Sequence, residues 1–161
     1  MGEIARRLES LGLVLPPAMQ PPPGVQLPFQ PVRVLGDRAV VSGHSPQNPD
    51  GSIGGKLGRV GLDLDVPDGY EAARMTALSM LGSLQRVLGD LDRIRAWVRI
   101  FGMVRSAPEF NQQPAVINGC SDLILELFGP EVGAHARSAV GMAELPFGIP
   151  VEIEAEVALH T

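Results

Sequence analysis

Apolar residues recur along this chain at two different spacings, and the spacing divides it into elements. Over residues 3–12, Ile4, Leu8 and Leu11 stand three and four positions apart, which predicts a short amphipathic helix stopped by Gly12. After Asp65 the helical spacing returns at greater length, with Ala73, Ala77, Met80, Leu81, Leu84 and Leu88 on one stripe closed by Gly89. Asp65 is placed to cap that helix, Pro67 suits its first turn, and Asp68 favours the positive end of its dipole. A further helix is predicted over 113–128, with Val116, Cys120, Ile124 and Leu127 on one side and Gly129-Pro130 as its stop.

Elsewhere the period is two. Over 150–159, Val151, Ile153, Ala155, Val157 and Leu159 point one way, and Glu152, Glu154 and Glu156 point the other. A strand over 137–143 precedes it, across a turn at Pro146-Phe147-Gly148. Residues 92–105 alternate less regularly and read as one long strand, with Gly102 as a bulge. Residues 32–35 and 39–41 flank Gly36-Asp37-Arg38 and predict a hairpin ending at Ser42-Gly43, followed by a polar, glycine-rich loop over 44–58. The order is helix, two strands, helix, strand, helix, two strands. It predicts an α+β fold in which two helices cover one face of a mixed sheet. The other face then needs a cover, which self-association would supply.

Ahead of the hairpin lies LPPAMQPPPGVQLPFQP, too rich in proline for a helix or an inner strand. The expected division is an N-terminal helix and proline connector over 1–24 and a domain over 25–161. The connector is expected to lie extended over the surface, and its prolines exclude a membrane-spanning helix. Together with a charged N-terminus that lacks a signal-peptide pattern, this points to a cytoplasmic protein.

Composition narrows the chemistry. A net charge of −5, with aromatics at 4%, argues against a surface built for nucleic acid. Cys120 is the only cysteine, so neither an internal disulfide nor a CxxC zinc site is possible. His44, His135 and His160 lack metal-ligand spacing, and Lys56 in GSIGGKLG is followed by Leu57 where a phosphate loop has Ser or Thr. No metal and no cofactor is expected.

The last third carries a more specific pattern. HARSAVGMAELPFGIPVEIEAEV resembles the RidA/YjgF/translation-inhibitor (endoribonuclease L-PSP) family: an Ala-Arg-Ser strand, a Leu-Pro turn, then a Val-Glu-Ile-Glu-Ala strand, without a gap from Arg137 to Ala155. Ser42-Gly43 resembles the family's Ser-Gly element, Asn118 falls near its helix asparagine, and Phe29 stands where the family usually has a pocket tyrosine. The N-terminal extension and GYEAAR look like a longer branch of the family. The resemblance implies a chorismate-mutase-like fold assembled as a homotrimeric barrel, with ligand sites between subunits. It also implies hydrolysis of reactive imino or enamino acids to a 2-keto acid and ammonia.

Arg137, in an otherwise small and apolar stretch with Ala139 two residues on, offers a planar fork that holds a carboxylate by two parallel hydrogen bonds. Its competing role is an ion pair with a protein carboxylate such as Glu152. Glu152 suits the orientation of a water, or removal of its proton, beside an imine carbon; its competing role is a solvated face shared with Glu154 and Glu156. Ser42 and Gly43 serve either an anionic group or a turn, and Asn118 either a ligand or helix packing. With Ala139 and Phe29 these residues make up the expected substrate site, and Glu152 is its expected catalytic group. Cys120 reads as a buried, inert thiol. Two functions remain open: a deaminase of small imino acids, and a non-catalytic trimeric binder of a carboxylate metabolite, which Phe29 favours. A ribonuclease finds little support in the acidic composition.

Overall fold

A computed structural model, describing residues 1–21 and 23–161, contains three α-helices, two short 3-10 turns and one five-stranded sheet among those residues. The order is α1 (Glu3–Ser10), β1 (Val32–Leu35), β2 (Arg38–His44), α2 (Val66–Leu88), β3 (Ile94–Arg105), α3 (Gln113–Val132), β4 (Ala136–Met142) and β5 (Val151–Leu159). Pro22 of the connector lies outside the described residues.

Local chemistry explains where α2 begins and ends. The Asp65 carboxylate accepts from the Asp68 amide at 2.9 Å, and the Asp68 carboxylate accepts from the Asp65 amide at 3.3 Å. This reciprocal cap satisfies donors that a helix start otherwise leaves open. At the other end Gly89 takes a φ of 79°, a left-handed conformation that glycine adopts without a steric penalty. A side chain resists that turn, so the helix stops there.

The strands lie in the order β1-β2-β5-β3-β4. β5 is central and antiparallel to both β2 and β3, whereas β4 runs parallel to β3 because α3 carries the chain back across the sheet. Val151, Ile153, Ala155 and Val157 of β5 are buried under α2 and α3, with Ile100 and Val104 of β3 beside them. Trp97 completes the core, its ring edge-on to Phe128 at 5.6 Å between centroids. On the opposite face Val40, Phe101, Met103, Val140, Glu152 and Glu154 are exposed or half-buried, and no described element of the chain covers them.

The structure differs from the sequence expectations at several points. β2 continues to His44, so Ser42 and Gly43 lie inside the strand, where its pairing with β5 is irregular between Val41 and His44. Gly102 is not a bulge. It pairs in regular register with Ala139 and Ile153, and the irregular pairings of β3 fall between Ile94 and Ala96 and between Trp97 and Arg99. Gly102 lacks a side chain for another reason: a Cβ there would stand 2.6 Å from carbons of Ile117, which α3 presses onto the strand. α3 breaks at Gly129, with φ 77° and ψ 174°, and Pro130 starts one further turn.

α1 packs on the main body. Ile4 and Leu8 belong to its buried cluster, the Asp92 carboxylate accepts from the amides of Glu3 and Ile4, and Arg7 donates to the Leu127 carbonyl at 2.6 Å. Leu13 and Leu15 then pack against the core and Pro16 is buried, and from Pro17 to Pro31 the described connector residues are exposed apart from a half-buried Pro21.

Candidate functional site

Glu152 sits at the start of β5 on the uncovered face, level with Met103 of β3. Its carboxyl lies against the backbone of β2, and a Cβ at Gly43 would come within 3.0 Å of the carboxyl carbon. Glycine at 43 therefore makes room for the acid. Burial pushes the Glu152 carboxyl above its ordinary 4.5, and the charge of Glu154 on the same face raises it further. Glu152 lines a cavity of about 760 Å³, with Phe29 of the connector across from it.

Ser42 ties the connector to β2. Its hydroxyl donates to the Gln30 carbonyl at 2.7 Å and its amide to the Pro31 carbonyl at 2.9 Å. Beside it stands His44, to which the sequence assigned no role beyond its lack of metal-ligand spacing. Its Nδ1 faces the Ser42 carbonyl at 2.6 Å and its Nε2 the Ser83 hydroxyl at 2.8 Å. Because a carbonyl can only accept, Nδ1 carries the proton; Ser83 then donates to Nε2 and accepts from Arg86 at 3.0 Å. Burial pushes the imidazole below its ordinary value, and the Arg86 charge adds to the effect. Together these contacts hold the Ser42-Gly43 backbone in place under Phe29.

Arg137 stands on β4, in register with Ile100 and, through it, with Ala155. Both neighbours are buried on the helix side, so Arg137 points toward α3. Its guanidinium donates to Asn118 Oδ1 at 2.8 Å, to the Ser121 hydroxyl at 3.0 Å and to the Pro114 carbonyl at 3.4 Å. The Ser121 hydroxyl lies 2.9 Å from His135 Nε2, and His135 Nδ1 donates to the Gly133 carbonyl at 2.7 Å. An arginine, a serine and a histidine thus recur in the same relation toward both edges of the sheet, on its helix-covered face. No spacing in the sequence announces either set, because the histidine and the serine of each come from separate elements. Ala139 lies on the same face as Arg137, beside Gly102.

Within one copy the candidates therefore form two clusters. Phe29, Ser42, Gly43 and Glu152 gather around β2 and β5, whereas Asn118, Arg137 and Ala139 gather around α3 and the edge strand β4. Arg137 and Glu152 point through opposite faces with β3 between their strands, so an ion pair between them inside one copy is ruled out. Every hydrogen-bond partner described for Arg137 is neutral. Tyr70, the chain's one tyrosine, donates to Asp122 from the outer side of α2 and does not replace the hydroxyl missing at Phe29. Cys120 is fully buried, and burial pushes its thiol up to about 12. Among the described residues no cluster of His, Cys, Asp or Glu is arranged to hold a metal ion, and no helix is long and apolar enough to cross a membrane.

Residues 6–149 match the model of a family described as YjgF/chorismate mutase-like endoribonuclease. Protein TCP17 of Trypanosoma cruzi is 43% identical over 160 residues, covering 99% of this chain and 96% of that one. The crystal structure of Atu1372 from Agrobacterium tumefaciens, a protein of unknown function, is 40% identical and superposes with a TM-score of 0.86 over 98% of this chain and 92% of its own. A Shewanella oneidensis protein named as an endoribonuclease is 27% identical, with a TM-score of 0.89 over 98% of this chain and 100% of its own.

Proposed function

The chain belongs to the YjgF/chorismate-mutase-like family, and from that premise we propose that it is a hydrolytic deaminase of small reactive imino or enamino acids. Its sites would lie between the subunits of a homotrimer. One observation carries this reading: the carboxylate-binding fork and the acid lie on different faces of the protomer, and each lacks what the other has. Among the described residues that line the cavity beside Glu152, none is Lys or Arg. A fork for a substrate carboxylate must then come from another copy, whose β4 edge carries Arg137 braced by Asn118 and Ser121. The uncovered sheet face supplies the apolar surface for that assembly.

In such a site Arg137 holds the substrate carboxylate by two parallel hydrogen bonds. Glu152 orients a water and takes its proton as the oxygen attacks the imine carbon, opening the C=N π bond onto nitrogen. That proton passes to the nitrogen, Glu152 then carries the proton of the new hydroxyl to the same nitrogen, the C–N bond breaks, and ammonia leaves as the C=O bond of the 2-keto acid forms. A carboxyl held above its ordinary value gives the proton back more readily than an unperturbed one, which suits transfer in both directions. An iminium carbon is already electrophilic, so positioning and one acid–base group suffice.

The test is ammonia release from 2-iminopropanoate generated in situ. Acceleration by the wild type and its loss in Glu152→Gln are expected, with a light-scattering mass of three chains. A concentration-independent monomer mass would refute the shared site. Phe29, which has no hydroxyl to contribute, favours a second reading as a non-catalytic binder of a small carboxylate. Binding of pyruvate without any turnover is its signature. The endoribonuclease in the family's description finds less support here, given a net charge of −5 and aromatics at 4%.

A further inference from the structure

The proline connector is built into the molecule as a strap with both ends pinned. At its start the Pro16 carbonyl accepts from Arg86 at 3.0 Å and the Pro17 carbonyl from Gln47 at 3.4 Å. Two glycines are needed for that approach. A Cβ at Gly82 of α2 would stand 2.8 Å from the Pro16 oxygen, and one at Gly51 would stand 2.9 Å from the Pro17 ring. At its end the Gln30 and Pro31 carbonyls accept from Ser42. Proline fixes φ and has no amide hydrogen, so such a segment holds its path without a neighbouring strand.

Between these pins the strap turns Met19, Leu27 and Phe29 toward the cavity beside Glu152. All three are large and apolar, yet they lie outside the buried core and are 40%, 39% and 52% exposed. Ile53, Ile149 and Phe147 add apolar surface on the rest of the lining, beside the polar Ser45, Asp50 and Ser52. Phe147 is 60% exposed and held at a φ of 60°, a left-handed conformation that a bulky side chain rarely adopts. Core packing accounts for neither its strain nor its exposure. A cavity of about 760 Å³ lies well inside the range of small-molecule sites, and a three-carbon acid would leave most of it unfilled.

We propose that this cavity seats the substrate's side chain, and that the strap selects 2-imino acids bearing a large apolar side chain over those of pyruvate size. The proposal rests on the deaminase reading above and adds its substrate class. The reacting carbon lies beside Glu152 and Gly43, while the hydrocarbon extends between the strap and the Phe147 turn.

Titration calorimetry of the full-length protein with pyruvate, 2-oxobutanoate and 4-methyl-2-oxopentanoate, the product-like keto acids, tests it. Burial of one methylene is worth about fourfold in affinity, so the three extra carbons of 4-methyl-2-oxopentanoate predict roughly fiftyfold tighter binding than pyruvate. Leu27→Ala should collapse that ratio to a few-fold, and Leu27→Trp, which fills the cavity, should invert it. Both changes fall at a surface position outside the core cluster, and Met19→Ala offers an independent third variant. Measurable but equal affinities across the series overturn the proposal and leave the deaminase reading standing. So does a steep series that none of the three variants alters, since the side chain would then lie elsewhere. If no keto acid binds the wild type, the reading of Arg137 and Glu152 fails, and this proposal fails with it.

Discussion

Replacing Gly119 by alanine tests the packing that places Asn118 and Ser121 under Arg137. Gly119 lies in α3 where it crosses α2, and a Cβ there would stand 2.0 Å from the Tyr70 carbonyl oxygen and 3.2 Å from the Arg74 amide nitrogen. Carbon makes comfortable contact at about 3.5 Å, so the two helices would have to separate by roughly 1–1.5 Å. The obstacle is backbone, which cannot rotate aside as a side-chain tip can. Alanine also gains up to about 1 kcal/mol over glycine in a helix interior. Overpacking costs about 1–3 kcal/mol, and a backbone obstacle puts this case at the upper end. The clash therefore outweighs the propensity gain, leaving a net loss of about 2 kcal/mol. For a chain of this length that corresponds to a melting temperature lower by about 4–8 °C. Thermal melts of both proteins at one matched concentration read this directly, since assembly makes the midpoint concentration-dependent. A variant that melts at or above the wild type would refute the reasoning, because helix propensity would then govern the position and the helices could not be in such close contact. Calorimetry on the folded variant should also show weaker pyruvate binding, as Asn118 and Ser121 move with α3.

Arg137→Lys should weaken pyruvate binding about ten- to hundredfold, because an ammonium keeps the charge but loses the planar fork; unchanged affinity with a lowered melting temperature would assign Arg137 to structure alone. Glu154→Gln removes the charge that helps raise the Glu152 carboxyl, so the Glu152 value should fall. Glu152 acts as a base only when ionised, above that value, so the acid-side limb of the kcat/KM profile should move to lower pH. A limb that stays in place would point to another group. Cys120, with its thiol pushed up to about 12 by burial, should resist iodoacetamide in the native protein and react once it is unfolded; stoichiometric labelling of the native protein would contradict its placement.

The long helix, the two-faced last strand and the family were all legible in the order of residues. Asp65, Pro67 and Gly89 act within one turn of themselves, and the alternation of Val151 to Leu159 with three glutamates needs no distant partner to be read. The Arg137-to-Ala155 pattern is likewise continuous. Long-range placement was not legible. Ser42 and Gly43 became part of β2 only through its irregular pairing with β5, and Gly102 answers to Ile117 of a helix that follows it. The two Arg-Ser-His sets, and the strap that Gly51 and Gly82 admit, join residues from separate elements. Most telling is the separation of Arg137 from Glu152, since side-chain direction in a sheet follows register. A shift of one residue in β4 would have sent Arg137 through the other face. Caps and periodicity depend on neighbours a few positions away and are written in the sequence. Register and close approach depend on which distant segments meet, and only the folded sheet decides that.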